Sequence, residues 1–178
     1  MSINNAEREA DFWIFGGIFR PVFLEVIPKT YFTRIATDPK TDGSLTSLLT
    51  LSQIPKNAKV QLEVLDQGSS AVLVTFSQDI NSDSVWMKNQ ILGIKPWNPE
   101  APNLYDLRYS LIQDGELTYQ KTERVGFRPI ELRKSDGFYV NEVKVIFKRG
   151  NRHSSYPTIG RALSEDNHRE DIGLMKER

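Results

Sequence analysis

The stretch Lys59-Val60-Gln61-Leu62-Glu63-Val64 alternates strictly between polar and apolar side chains. Because successive side chains of a β-strand point to opposite faces of the sheet, this alternation predicts a strand that is buried on one face and solvated on the other. The stretch Leu107-Arg108-Tyr109-Ser110-Leu111 repeats the pattern. A period of two, and not the helical period of about 3.6, therefore dominates the middle of the chain.

Turn-forming residues separate further short segments between Tyr31 and Glu131. They lie at Asp42-Gly43, Gln67-Gly68, residues 80–84, residues 95–103 and Asp114-Gly115. These residue types favour turns for known backbone reasons. The spacing gives about seven strands, the number of an immunoglobulin-like antiparallel sandwich. We therefore predict such a sandwich over residues 31–131.

Length and composition narrow the class of protein and of partner. The 178 residues are enough for one full domain with partial flanking pieces, because independent domains usually have about 100–150 residues. Lys and Arg together number 23, as do Asp and Glu, so the formal net charge is +0. That balance argues against nucleic acid or an anionic membrane as partner and fits a neutral one such as a sugar. The absence of cysteine excludes disulfides and thiolate zinc sites.

The first residues lack the features of a targeting segment. Met1-Ser2-Ile3-Asn4-Asn5 is polar, without the basic flank and apolar stretch of a secretory signal. No stretch approaches the roughly 18 apolar residues of a membrane span. We expect a soluble chain without a signal peptide, and the sequence leaves its compartment undetermined.

Apolar segments flank the predicted sandwich. Residues 12–24 combine aromatic and β-branched side chains around Gly16-Gly17, which predicts a buried strand with a bulge or a close backbone approach at the glycines. After Asp136-Gly137, residues 138–147 indicate a hairpin followed by a strand. Its turn has Asn141-Glu142, without the glycine that suits positive φ in a tight primed turn. Both flanks would expose apolar surface without partners, so we expect self-association through them.

The end of the chain has the pattern of a short amphipathic helix. Ser164 is a good N-cap, and Glu165 and Asp166 lie at the positive end of the helix dipole. Ile172 and Met175 have helical spacing. We therefore predict a helix that begins just after Ser164.

Four segments spread along the chain share their order with a known family. They are residues 11–24, Trp97-Asn98-Pro99-Glu100-Ala101-Pro102-Asn103-Leu104-Tyr105, Val125-Gly126-Phe127-Arg128, and Gly150-Asn151-Arg152-His153 with Pro157, Gly160, Arg161 and Ser164 after it. In this order they resemble family 2 glycoside hydrolases of the β-galactosidase kind. They are similar, in turn, to the exit from a sugar-binding jelly roll, to a turn before a late strand of the middle sandwich, to the last strand of that sandwich, and to the first barrel strand with its loop.

The resemblance implies a mainly β chain in three parts. Residues 1–30 would be the end of the jelly-roll domain, with a remnant strand, and residues 31–131 the immunoglobulin-like β-sandwich domain. Residues 132–178 would be the first strand, loop and helix of a truncated (β/α)8 barrel, since a complete barrel takes about 250 residues. Such a chain would be an internal fragment of the enzyme.

The resemblance also implies a glycosidase that hydrolyses β-galactosides with retention. Retaining enzymes need two carboxyl groups about 5–5.5 Å apart. In the family both are glutamates on later barrel strands, which would lie beyond Arg178. We therefore expect no catalytic residue in this chain and no activity of the chain alone.

Asp11 is the first candidate ligand of the sugar. It lies two residues before Trp13 and resembles the family aspartate that reaches from the jelly roll toward the sugar. There a carboxylate can accept hydroxyl hydrogen bonds or help hold a monovalent or divalent cation in the full-length enzyme. The alternative is a solvated acid at a strand edge. No cofactor or metal is expected in the chain itself.

His153 is the second candidate, at the C-terminal end of the presumed first barrel strand, where barrel enzymes build their sites. It resembles the family histidine that contacts the sugar in the subsite where cleavage occurs, a task that suits a neutral imidazole. The alternative is a histidine that bonds its own loop. Arg152 and Asn151 beside it are expected to be structural and to bond loop carbonyls.

The tryptophans, Arg20 and His168 are interpreted as structural residues and not as ligands. Trp13, Trp86 and Trp97 are expected in the core, and Arg20 is expected to be at least half-buried. His168 is expected on the exposed side of the final helix. A metal site of His153 and His168 is rejected because no third ligand has useful spacing.

Two classes of function remain after these observations. One is part of a β-galactosidase-like glycosidase, with a β-galactoside-type sugar as partner. The alternative is a non-catalytic β-sandwich module that binds a carbohydrate or a protein. The segment from Gly150 to Arg178 favours the enzyme, because a pure binding module has no reason to have it.

Overall fold

The computed structural model describes residues 3, 5, 17–67, 71–147 and 152–177. The chain divides into two compact units. The larger is Val26–Phe147, and the smaller combines Met1–Glu25 with Lys148–Arg178. The larger unit contains the strands, and the smaller one contains a C-terminal helix.

Seven strands lie in the described part of residues 32–125. They are β1 Phe32–Pro39, β2 Ser44–Leu51, β3 Ala58–Asp66, β4 Val72–Asp79, β5 Ser84–Gln90, β6 Tyr105–Gln113 and β7 Glu116–Val125. Every pairing is antiparallel, and the orders are β1-β2-β5 in one sheet and β4-β3-β6-β7 in the other. The predicted antiparallel sandwich is confirmed. β1, β2 and β5 take the places of immunoglobulin strands A, B and E, and β3, β6 and β7 those of C, F and G.

The two alternating stretches of the sequence form the centre of the larger sheet. β3 pairs with β6 in a register that sets Leu62 opposite Tyr109 and Val60 opposite Leu111. The apolar members of both stretches are buried, as predicted, because they face the other sheet. The resulting core consists of Phe32, Leu45, Leu49, Leu51, Val60, Leu62, Val64, Ile80, Val85, Met87, Ile91, Tyr105, Leu107, Tyr109, Leu111 and Phe127.

One buried polar contact crosses this apolar core. The Ser47 hydroxyl of β2 and the Tyr109 hydroxyl of β6 are 2.7 Å apart, and both residues are fully buried. Burial raises the pKa of Tyr109 to about 12, while the hydrogen bond to Ser47 opposes the shift. The bond joins the two sheets at a point that water does not reach.

The loop between β5 and β6 is held by its own polar groups. The Asn98 side-chain oxygen accepts from the backbone N–H of Glu100 and of Ala101, at 3.0 and 2.8 Å. At the start of β6, the Tyr105 hydroxyl accepts from the Lys95 backbone N–H at 2.9 Å, much as in the tyrosine corner of immunoglobulin-like sandwiches. The tryptophan-proline segment therefore folds as a turn, as predicted.

Trp97 fits against the chain that leaves β7. The Arg128 guanidinium carbon lies 4.0 Å from the centre of the Trp97 ring, and a Cβ at Gly126 would come within 2.7 Å of the Trp97 side chain. The prediction that Gly126 to Arg128 continue the last strand is wrong, because β7 ends at Val125. The backbone there turns away to bury Phe127 instead.

A small meander sheet follows in the same unit. It consists of β8 Ile130–Arg133, β9 Gly137–Val140 and β10 Val143–Val145. The hairpin between β9 and β10 turns through Asn141 and Glu142, with φ of 51° and 66°. Both residues adopt the left-handed conformation of a primed turn without a glycine. The predicted hairpin is confirmed, while residues 146–147 have no strand.

The N-terminal apolar run is exposed over its described part. Residues 17–31 form no strand, and Val22, Phe23 and Leu24 are 78 to 91% exposed. The expected buried strand is therefore wrong for residues 17–24, because no described strand pairs with them to satisfy a ladder. Arg20 is also exposed, contrary to expectation. Residues 12–16 lie outside the described residues.

Two tryptophans differ from the expected core placement. Trp86 is 57% exposed, because its neighbours Val85 and Met87 take the inner face of β5 and leave Trp86 on the outer face. Trp97 is half-buried. Trp13 lies outside the described residues.

The helix α1 spans Glu165–Lys176. Ser164 caps its N-terminus: the Ser164 hydroxyl accepts from the Asn167 N–H, and the Asn167 side chain accepts in return from the Ser164 N–H. The predicted helix and its cap are confirmed. Among the described residues, no helix has the length and apolarity that crossing a membrane requires.

Candidate functional site

The structure describes one of the two predicted sugar ligands, His153, and not the other, Asp11. Asp11 lies outside the described residues, so the structure gives it no position. His153 lies in the smaller unit, in the segment of residues 152–163 that precedes α1, and its side chain is exposed. The strand expected just before His153 falls on residues 148–151, which are also outside the described range, and residues 152–155 form no strand.

Arg152 joins the segment beside His153 to the helix. One guanidinium nitrogen donates to the Asp171 carboxylate, and the other contacts His168 Nδ1 at 3.0 Å. The side chains of Arg152 and Asp171 are 24% and 26% exposed. The expected bonds of Arg152 to loop carbonyls are therefore replaced by contacts with two helix side chains.

Tyr156 makes a second connection to the helix. Its hydroxyl donates to the Glu170 carboxylate at 3.1 Å, and this bond, with the charge of Glu170, raises the pKa of Tyr156. Tyr156 and Gly160 also exchange two backbone hydrogen bonds of 2.8 and 2.9 Å. The backbone of residues 156–160 therefore closes into a small loop that is fixed to α1.

A surface pocket of about 360 Å³ opens between this segment and the helix. Its polar and apolar lining comes from Arg152, His153, Ser155, Tyr156, Pro157, Asp171, Leu174 and Met175. The imidazole of His153 can donate to or accept from a ligand hydroxyl there. The carboxylate of Asp171 is already paired with Arg152.

The position of His168 differs from the predicted one and involves a contact that was not predicted from the sequence. It is half-buried toward Arg152 and not on the exposed side of α1. His168 and Asp171 are three residues apart, so they share a helix face. That spacing, next to a predicted helix, was the signal that could have identified them as partners of Arg152.

No group of three or more His, Cys, Asp or Glu side chains suited to a metal ion occurs within the described ranges. The cation considered for the full-length enzyme was placed near Asp11, outside those ranges. The structure therefore leaves that expectation untested.

Comparison with known proteins gives the family. The family model for glycosyl hydrolases family 2 matches residues 29–128, more than half of the chain. A putative β-glucuronidase of Formosa agariphila is 36% identical over 176 residues, which are 96% of this chain and 21% of that protein. A β-galactosidase of Lactobacillus delbrueckii subsp. bulgaricus is 33% identical over 175 residues, 95% of this chain and 17% of that protein. The chain spans about a fifth of the length of the curated relatives that it matches.

Solved structures agree with this assignment. A Parabacteroides merdae β-glucuronidase superposes with a TM-score of 0.73 at 21% identity, over 94% of this chain and 22% of the other, which shows the shared fold. A Bacteroides uniformis β-glucuronidase superposes with a TM-score of 0.68 at 26% identity, over 97% of this chain and 23% of the other. By its sequence and its fold, the chain belongs to the glycosyl hydrolases family 2.

Proposed function

We propose that this chain supplies the sandwich and part of the sugar site of a retaining β-galactosidase-like enzyme, in which His153 contacts the sugar at the subsite where cleavage occurs. The supporting observation is the exposed His153 side chain at a pocket whose wall is fixed to α1 through Arg152. An imidazole held at such a wall can bond a sugar hydroxyl as donor or acceptor.

The proposal includes Asp11 as a second sugar ligand, which in the full-length enzyme would also help to hold a cation. Both catalytic glutamates would lie outside residues 1–178. The pocket geometry is consistent with this, because its carboxylate, Asp171, is engaged by Arg152.

A neutral sugar suits the described lining of the pocket better than an acidic one. A glucuronate carboxylate would need a cationic partner, and the guanidinium in this lining belongs to Arg152. That group is already paired with Asp171, so a second carboxylate would compete for it. We therefore favour a β-galactoside, the sugar in the name of the Lactobacillus relative, over a β-glucuronide, the sugar in the name of the Formosa relative.

We also propose the three-part division of the chain into residues 1–30, 31–131 and 132–178, with the middle part as an autonomous sandwich. The exposed apolar side chains of residues 18–27 would promote self-association of the isolated chain. Sedimentation of the chain with and without residues 1–27 tests this: the shorter chain should be more nearly monomeric.

The sugar contact can be tested on the two histidines of the chain. With ¹⁵N-labelled imidazoles, added galactose should shift the His153 signals and leave those of His168 unchanged, because His168 faces Arg152. Glucuronate serves as the competing ligand. Equal shifts of both histidines, or none at His153, would refute the proposed contact.

A separate assay tests the absence of catalytic groups. The purified chain should not hydrolyse a chromogenic β-galactoside or β-glucuronide, because no general acid and nucleophile pair would be present to lower the barrier. Turnover that persists after repurification and disappears in Asp11→Ala or His153→Ala would contradict the proposal.

A further inference from the structure

The segment of residues 152–160 is fixed to α1 at two points, on either side of His153. Arg152 contacts Asp171 and His168, and Tyr156 contacts Glu170. We infer that Arg152 and Asp171 are positioning residues, which hold the backbone of His153 in the orientation that its sugar contact needs. This inference rests on the proposed function for the role of His153.

The guanidinium suits this task because of its shape. It presents several N–H donors in one plane and has no acceptor, so it can bind Asp171 and His168 together from one side chain. Because arginine only donates, His168 Nδ1 must accept, and the imidazole proton must then be on Nε2. The contact with Arg152 therefore favours the Nε2–H tautomer of His168.

The Arg152–Asp171 ion pair is more buried than the Arg169–Glu165 pair of the same helix. The Arg152 and Asp171 side chains are 24% and 26% exposed, whereas those of Arg169 and Glu165 are 72% and 78% exposed. Solvent screens an exposed pair strongly, so such pairs contribute little, while a partly buried pair holds its partners together. The Arg169–Glu165 pair is therefore a matched control.

The backbone transmits the constraint directly to His153. His153 follows Arg152 in the chain, and its carbonyl accepts from the Ser155 N–H at 3.1 Å. The next residue, Tyr156, bonds Gly160 through two backbone hydrogen bonds. A hydrogen bond to a bound ligand tolerates misplacement of only about 0.5 Å, so a loose backbone at His153 would weaken the contact even with the imidazole present.

The test uses the full chain with Asp171→Asn and Arg152→Lys, and Glu165→Gln as the control. Asparagine keeps the shape but not the charge, and lysine keeps the charge but not the planar set of donors. Amide exchange at Ser155, Tyr156 and Gly160 should become about tenfold faster in both variants and stay unchanged in the control. Asp171→Glu should restore most of the protection that Asp171→Asn loses, because it returns the negative charge.

The outcomes for the two proposals are distinct. Faster exchange in both variants, with a smaller galactose shift at His153, supports the positioning role. Unchanged exchange in both variants overturns it, whatever the sugar does. If the parent chain shows no galactose shift at His153, the proposed function fails, and exchange still decides whether Arg152 and Asp171 order the loop. If Asp171→Asn unfolds α1, Arg152→Lys decides, because it leaves the helix sequence intact.

Discussion

The hydrogen bond between Ser47 and Tyr109 offers the sharpest test of how the sandwich core is built. Both hydroxyls lie inside the apolar interface between the two sheets, 2.7 Å apart. Ser47→Ala leaves the Tyr109 hydroxyl without a partner, and Tyr109→Phe leaves the Ser47 hydroxyl without one. The double variant removes both groups and leaves no orphaned donor or acceptor.

The magnitudes follow from burial. A buried polar group that loses its partner costs about 1–3 kcal/mol, whereas replacing both partners by apolar groups of similar shape is nearly neutral. Since both residues are fully buried, water cannot replace the missing partner. We expect each single variant to lose about 2 kcal/mol of unfolding free energy and the double variant to lose no more than either single one. The coupling energy, the sum of the two single losses minus the loss in the double variant, is then at least about 2 kcal/mol.

The assay is urea unfolding of the full chain and of the three variants, followed by tryptophan fluorescence, with equal denaturant slopes as the check on two-state behaviour. Tyr139→Phe is the control, because its hydroxyl bonds Asp136 in an exposed setting and should change stability by less than about 0.5 kcal/mol. Additive losses in the double variant, within about 0.5 kcal/mol, would refute the reasoning, because they would show that neither hydroxyl depends on the other.

Three further predictions use the same unfolding measurements. Because burial raises the pKa of Tyr109 to about 12, above its ordinary value of about 10, the folded chain keeps a proton that the unfolded chain loses. This contribution to the unfolding free energy is complete below pH of about 10 and falls by up to ~1.4 kcal/mol per pH unit as the pH rises toward 12. In Tyr109→Phe the unfolding free energy should depend less on pH over this range. Glu142→Gly should stabilise the chain by about 0.5–1 kcal/mol, because φ of Glu142 is 66° and glycine adopts this conformation without steric cost; a loss of stability would contradict the primed turn. Gly126→Ala should lower the unfolding free energy by about 1–3 kcal/mol, because the new Cβ would lie 2.7 Å from Trp97. Gly173→Ala places its Cβ in open space along α1 and should instead raise the unfolding free energy by up to ~1 kcal/mol.

The sandwich could be predicted because its information is local. Side chains such as Val60 and Leu107 alternate along single strands, and pairs such as Asp114-Gly115 mark the turns, so each element is specified by its own few residues. The cap of α1 is local in the same sense, since Ser164 and Asn167 are three residues apart. Such patterns need no knowledge of what packs against them.

The sequence-based predictions were wrong where the position of a residue depends on what packs against it. Trp86 is apolar, but the phase of β5 places its neighbours inward and leaves it exposed. Phe127 is buried although no strand includes it, because the chain after β7 turns into the core. The apolar residues 17–24 predicted a buried strand, yet a strand also needs a neighbour for its backbone groups, and hydrophobicity alone does not supply one.

The sequence by itself determined the fold class, the family and the candidate His153, because alternation, turn residues and ordered motifs are patterns of residues close together in the chain. The tertiary structure decided which groups meet. The Ser47–Tyr109 bond joins residues 62 positions apart, and the Arg152–Asp171 pair joins residues 19 positions apart. Contacts at such separations depend on how two sheets stack or how a loop closes on a helix, and no short-range pattern specifies that geometry.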